Sequence, residues 1–213
     1  MAGIDVGGTA KGFHAVAFRD GRFMARSHRT TALEIREWCR AIDAAIVAVD
    51  APCRWSTTGG ARPAERALAE AGIFAFATPT REVAEAKPFY RWMLNGAELY
   101  RLLEDEYSLF EGGRLDGRIC LETFPQAAAC ALAGRILRAR QKCTDRREVL
   151  RRAGIDISSL TNVDYVDAAI CAVVAESVRK GEFTKYGDAV SGFIVVPNSP
   201  AVVGTVISPR SNT

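Results

Sequence analysis

Three separate apolar runs in this chain each carry a carboxylate at or near the carboxyl end: Asp5 in GIDVGG, Asp50 in IVAVDAP and Glu122 in ICLETFP. Each run is short enough to be a buried strand, and an acid inside such a run needs a reason. Burying an unpaired carboxylate is costly unless it is paired or binds a cation. In open α/β sheets the crevice outside the carboxyl ends of parallel strands is where ligands bind, so three acids placed there face one cleft if their strands adjoin. Taken singly, each acid also has a plain structural use, as Asp50 before Ala51-Pro52 does in ordering a turn. The recurrence of the pattern is what points to function.

A fourth contribution comes from TNVDYVDAAICAVVAESV at 161–178. Asp164 and Asp167 are spaced i, i+3 and share one face of the predicted helix. Continuing from Asp167 along that face gives Cys171, Val174, Ala175 and Val178, so the acids lie on the apolar stripe that packs inward. The competing reading places Thr161 or Asn162 at the N-cap, with both acids favoured by the helix dipole in the first turns. That reading explains the end of the helix but not the face.

Between these landmarks the chain alternates strand and helix patterns. AGIDV at 2–6 leads through Gly7-Gly8-Thr9 to strand patterns at 13–18 and 22–26, joined by the hairpin dipeptide Asp20-Gly21. Helical spacing covers 31–43, 62–71, 88–106, 126–139, 145–153 and 162–180, with Asn95-Gly96 a possible interruption of the third. Further strand patterns occupy 45–50, 73–78 and 118–124, and the end of the chain (GFIVVP, AVVGTVIS) holds one or two more. The expectation is one α/β domain over residues 1–213 that opens as three antiparallel strands, a helix and a buried strand.

Composition narrows the function classes. With 48% hydrophobic and 25% charged residues the chain is an ordinary globular one. A net charge of +3 with no basic block does not by itself announce a nucleic-acid binder. The six cysteines show no CxxC pair and read as small core residues in a reducing compartment. No run reaches the roughly 18 apolar residues of a membrane span, and no signal-peptide pattern follows Met1. A cytoplasmic protein that does not bind membranes is therefore expected.

Hard divalent cations such as Mg²⁺ or Mn²⁺ take oxygen ligands from a few carboxylates, which suits a cluster of Asp and Glu, so His14 and His28 are not required. Two such ions about 3.5–4 Å apart can activate water and stabilise the leaving oxygen of a phosphodiester displacement.

The motifs GID (3–5), VDAP (49–52), GARPAERALAEAGI (60–73), WMLNGAELY (92–100), ETFP (122–125), KCTDRREVLRRAGI (142–155) and VDYVDAAICA (163–172) occur in order. Over about residues 3–197 the chain thereby resembles a family of unknown function described as predicted RNase H-like nucleases. The resemblance implies an RNase H-like α/β fold, a five-stranded mixed sheet with its first three strands antiparallel, flanked by helices. It implies Asp5, Asp50, Glu122 and Asp167 as the catalytic, metal-binding set, with Asp164 an additional or substitute ligand, and Lys142 and Arg146 as a basic pair. Arg62 and Arg66, at i, i+4 after the Gly59-Gly60 loop, offer a second phosphate clamp; their structural alternative is ion pairing with Glu65 or Glu70, or a solvated face.

The function expected is a Mg²⁺- or Mn²⁺-dependent nuclease or phosphodiesterase acting on nucleic acid, DNA or RNA unresolved, with oligomeric state open. Two alternatives stand. GIDVGGTAKG at 3–12 resembles the first phosphate-binding loop of actin-like sugar or acyl kinases, although no second such loop follows. A non-catalytic domain of the same fold is the other. Trp55, Phe89, Tyr90 and Trp92 offer stacking surfaces for bases, with core packing the default use of most of them.

Overall fold

Residues 1–198 are described by the structure, a computed structural model. The chain begins as expected. Strand β1 (Ala2–Val6) pairs antiparallel with β2 (Phe13–Arg19), which pairs antiparallel with β3 (Arg22–Arg29). Asp20 and Gly21 form the tight turn between the last two, both at positive φ (50° and 74°), as a primed hairpin turn demands. Helix α1 (Ala32–Ala41) starts on a capping box in which Thr31 and Glu34 satisfy each other's backbone N–H groups. It returns the chain to β4 (Ile46–Asp50), parallel to β1 with Asp5 beside Asp50.

Then follow α2 (Pro63–Glu70), α3 (Arg81–Ala86), α4 (Arg91–Leu103), β5 (Ser108–Leu109), β6 (Ile119–Thr123), α5 (Pro125–Ala133), α6 (Lys142–Arg152), α7 (Val163–Lys180), β7 (Phe183–Asp188) and β8 (Gly192–Pro197). The sheet runs β3-β2-β1-β4-β6-β8-β7, with β5 beside β6. Three antiparallel strands continued by parallel β4 and β6 are the mixed RNase H-like arrangement.

The sheet has eight strands where five were expected, and the extra ones share a cause. The outer edge of β6 is covered along its first half by β5 and along its second half by β8, and β7 then pairs antiparallel with β8. The β7 sequence, FTKYGD, is largely polar and has no fully buried residue, so it carries no buried-strand pattern; it is a strand because the apolar β8 needs an edge partner.

The run IFAFAT at 73–78, expected as a strand, is irregular. The Thr78 N–H donates to the Glu65 carboxylate (3.1 Å) and not to a ladder, and Phe74 and Phe76 project into solvent. The helix expected to 139 stops at Ala133, where Gly134 adopts the left-handed conformation (φ 64°). Asn95-Gly96 does not break α4, and α6 begins earlier than expected, at Lys142. The AVVGTVIS segment lies outside the described residues. Four cysteines are buried as expected, Cys53 is half-buried, and Cys143 is exposed on α6.

Two apolar layers sandwich the sheet. On one face α7, with α5, packs over Val16, Ile46, Ala48 and Ile194. On the other, α1 and α4 pack over Ile4, Phe13, Val47 and Val49. Helix α7 is buried along nearly all of its length, which explains its almost continuous apolar sequence.

It sits against β1 at Gly3, where an added Cβ would overlap the backbone of Ala168 and Ala172. Gly3→Ala is therefore expected to cost about 3 kcal/mol, the upper end for inserting a methyl into a packed core, read as a lower urea midpoint. An unchanged midpoint would mean that helix and strand are not in such close contact. Gly96 gives α4 the same close approach to Ala51, one residue beyond Asp50. No helix among the described residues is long and apolar enough to cross a membrane.

Candidate metal centre

Side chains alternate between the two faces of a strand. In β1, Ala2 and Ile4 face α1 and α4, so Gly3 and Asp5 face α7. In β4, Ile46 and Ala48 face α7, and Asp50 continues that series. Asp5 and Asp50, register partners on adjacent parallel strands, thus emerge on the same face at the same sheet end. Helix α7, pinned there by Gly3, brings Asp164 and Asp167 to them. Its start is fixed by Asn162, whose side chain accepts from the Tyr165 N–H (2.9 Å).

These acids line one cleft of about 380 Å³ with Lys11, Arg146 and Lys142. Their chemistry is mutually strained. Desolvation, reinforced by Asp167 and Asp164 and opposed by Lys11, pushes the Asp5 carboxyl up to about 6. Asp50 is held well above the usual carboxylate range by desolvation and by Asp5 and Asp167, and Asp167 is raised mainly by desolvation against the pull of Arg146. Among the described residues nothing hydrogen-bonds to the Asp50 side chain. Carboxylates so placed, one without a protein partner, fit an oxygen-ligated divalent cation.

The remaining expected residues fall into two groups. Arg146, buried on α6, pairs with Asp167 and donates to Gln126 Oε1 (3.0 Å). Lys142, one turn earlier, is exposed on the cleft wall without an ion-pair partner among the described residues. Both line the cleft that the acids share.

Glu122, Arg62 and Arg66 depart from expectation. Glu122 lies beside Val49 across the β4–β6 pair and so leaves the sheet on the α4 face, the opposite one to Asp5 and Asp50, yet it lines the same cleft and adds to the upward push on Asp50. Its carboxylate is fully engaged: Arg62 donates to both oxygens (3.0 and 2.5 Å) and the Cys53 N–H to one (2.8 Å). Arg62 also donates to Glu65 (2.9 Å) and to the Arg54 and Ser191 carbonyls (3.2 Å each). Burial works against its charge, and Glu122 and Glu65 overcompensate, so its pKa is raised. Bonded to two carboxylates and two carbonyls, it acts as a buried clamp on protein. Arg66 is exposed outside the cleft and donates to the Ala61 carbonyl (2.5 Å). Arg62 is thus part of an Arg62–Glu122–Glu65 network that lines the same cleft as the acids.

Two residues outside the expected set, Lys11 and His14, stand at the acids. Lys11 Nζ bridges Asp5 (3.1 Å) and Asp164 (2.7 Å). His14, whose Nδ1 is buried without a partner, places one ring nitrogen within 4.8 Å of oxygens of Asp5 and Asp164. Desolvation lowers its pKa and favours the neutral, ligand-competent imidazole. The signal for His14 was available in the sequence, because a short antiparallel β1–β2 pairing sets it directly opposite Asp5.

Residues 3–190 match the family model described as Protein of unknown function (DUF429). The chain belongs to this family. No curated protein matches this DUF429 chain. A solved structure described as Thermus thermophilus RuvC structure is 17% identical to it with a TM-score of 0.45, covering 84% of this chain and 95% of that one. In the DUF429 chain the Gly-rich loop after β1 bonds to itself: Gly7 N–H donates to the Gly12 carbonyl, and Lys11 and Gly12 N–H donate to that of Gly8 (2.8–2.9 Å). Those three amides are spent, which weighs against a kinase-type phosphate cradle.

Proposed function

We propose that this DUF429 protein is a divalent-metal-dependent phosphodiesterase acting on nucleic acid, working as one RNase H-like domain. The observation that carries the reading is the convergence of Asp5, Asp50 and Asp167 on the α7 face of the sheet, with the Asp50 carboxylate unpartnered. Asp5, Asp50, Asp164 and Asp167 hold Mg²⁺ or Mn²⁺, and Glu122 drops to the supporting network. The bound metal supplies a water made nucleophilic at neutral pH and a charge that stabilises the leaving oxygen.

The protein's own residues do the rest. Arg146 fixes the Asp167 rotamer and keeps its second N–H group on Gln126. Lys142, free on the cleft wall, meets phosphate oxygens as a point charge. Lys11 pairs with both Asp5 and Asp164, and its half-exposed side chain would have solvent to withdraw into if these acids held a cation.

The direct test is a panel of labelled single-stranded, duplex and branched DNA and RNA incubated with Mg²⁺ or Mn²⁺. Cleavage that EDTA abolishes is expected, and no cleavage of any substrate with either metal overturns the reading.

A second prediction concerns pH. The folded-state pKa of Asp5 is raised, from 3.8 to about 6, so the folded protein binds more protons there than the unfolded chain. This group's contribution to metal-free stability is full below about pH 4 and is lost as pH rises through about 6. A divalent cation needs the ionised form. The rise in Tm on adding Mg²⁺ or Mn²⁺ is therefore expected to be small at pH 5 and to grow towards pH 7.5. A domain without a metal site would show no rise at any pH.

A further inference from the structure

The mouth of the acidic cleft carries aromatic side chains that core packing does not use. Phe76, at the cleft lining, is 69% exposed, and Phe89 is 58% exposed. Their rings meet edge to face at 5.5 Å, and Phe89 meets Tyr90 in the same way at 5.0 Å. Trp92, packed against the core, also lines the cleft.

Large aromatics are normally withdrawn from water, and contiguous exposed ones mark a binding surface. Here two separate segments build the patch: the irregular 73–80 stretch, whose backbone is tied down at Thr78 by the buried Glu65, and the turn Pro88–Tyr90 that leads into α4. Both segments are tied to the fold, the first by the Thr78–Glu65 bonds and the second by the Tyr90 N–H, which donates to the Lys87 carbonyl (3.1 Å).

Charge identifies the occupant. The segment reads Lys87-Pro88-Phe89-Tyr90-Arg91-Trp92, with cations interleaved among the aromatics. Lys87 and Arg91 are exposed and neither has an ion-pair partner among the described residues, whereas on neighbouring α3 Arg81 is taken by Glu85 (2.8 Å). A protein partner's apolar side chain would have no use for unpaired cations on both sides of the rings. A polyanion with flat apolar faces uses both: phosphates meet Lys87 and Arg91 while bases stack on Phe76 and Phe89. In an intact duplex the bases face one another and cannot reach such rings; in a single strand they can.

We propose that the rim formed by Phe76, Phe89 and Tyr90, with Lys87 and Arg91, is a stacking platform for unpaired nucleobases, so that the strand entering the cleft is single-stranded nucleic acid. This rests on the phosphodiesterase reading for what happens in the cleft, but not for binding at the rim.

Binding is measured by fluorescence anisotropy of the full chain with one labelled sequence as single-stranded DNA, as single-stranded RNA and as DNA duplex, in EDTA and again with Mg²⁺. Single strands, of either sugar, are expected to bind more tightly than the duplex, and the two sugar arms show which is preferred. F76A and F89A each weaken single-strand binding on the order of 10-fold, and about 100-fold together, given the worth of a base–aromatic stack. Both leave duplex binding unchanged. F89W restores it. Both rings are exposed, so melting temperatures should stay at the wild-type value, and a loss of binding can then be assigned to the surface.

The proposal is overturned if the duplex binds as well as the single strand, if neither binds in either buffer, or if F76A and F89A bind as the wild type does. It is equally overturned if the variants alter self-association and not oligonucleotide affinity, since the patch would then join copies of this chain. If ring-dependent single-strand binding is found while no metal supports cleavage, the platform stands and the phosphodiesterase reading alone fails.

Discussion

Asp50→Asn is expected to abolish metal-dependent cleavage while raising the melting temperature of the metal-free protein. The two effects have one origin. Asp50 sits at the end of β4 beside Asp5 and near Asp167, without a hydrogen-bond donor from the described residues, and its carboxyl is held well above the usual range. Asn keeps the shape and removes the charge that the neighbours repel, so the apo fold gains. The same charge is what a cation needs. Losing a ligand forfeits several kcal/mol of charge stabilisation during the reaction, and each 1.4 kcal/mol is tenfold, so the rate should fall by on the order of 1,000-fold or more. Activity assays and thermal melts of one preparation read both. A variant that still cleaves fully, or that melts lower without metal, would remove Asp50 from the metal set.

Arg62→Ala should produce the largest stability loss of any single side-chain removal near the cleft. Its guanidinium joins Glu122 on β6 to Glu65 on α2 and is buried with both. Without it, two carboxylates are left in the interior with Cys53, Thr78 and backbone donors alone. Breaking a buried ion pair by removing one partner costs about 3–5 kcal/mol, and at roughly 2–4 °C per kcal/mol for a chain of this size Tm should drop by about 10 °C. Arg62→Lys keeps the charge but cannot reach both carboxylates and both carbonyls at once, so it should fall between. A drop under about 2 °C for Arg62→Ala would show that the network is solvated in solution. Cleavage by the folded fraction should persist, because Arg62 touches Glu122 and not the acids that face α7.

Local rules made much of this architecture readable. Asp20-Gly21 marks its turn because only residues tolerant of positive φ fit there, and Thr31 with Glu34 marks a helix start because their side chains satisfy its free amides. The continuous apolar runs of β1, β4 and β6 follow from burial on both faces. Asp164 and Asp167 were legible as inward-facing from their place on the apolar stripe of α7. Strand β7 was not legible, since its polar residues gain their conformation from β8. Nor was the irregular course of 73–78, where alternating Phe74 and Phe76 mimic a strand although Glu65 takes over the Thr78 amide.

The sequence by itself determined that acids end three buried strands and begin one buried helix, because the cost of burying charge leaves few other reasons for such a pattern. Only the tertiary structure decided which of them meet. A strand-end acid points to one face or the other according to its register with the neighbouring strand: that pairing set Asp50 with Asp5 under α7 and turned Glu122 to the opposite side, into the grip of Arg62. Exposure was decided there too, since a Phe in a one-dimensional string carries no mark of whether a core will form over it.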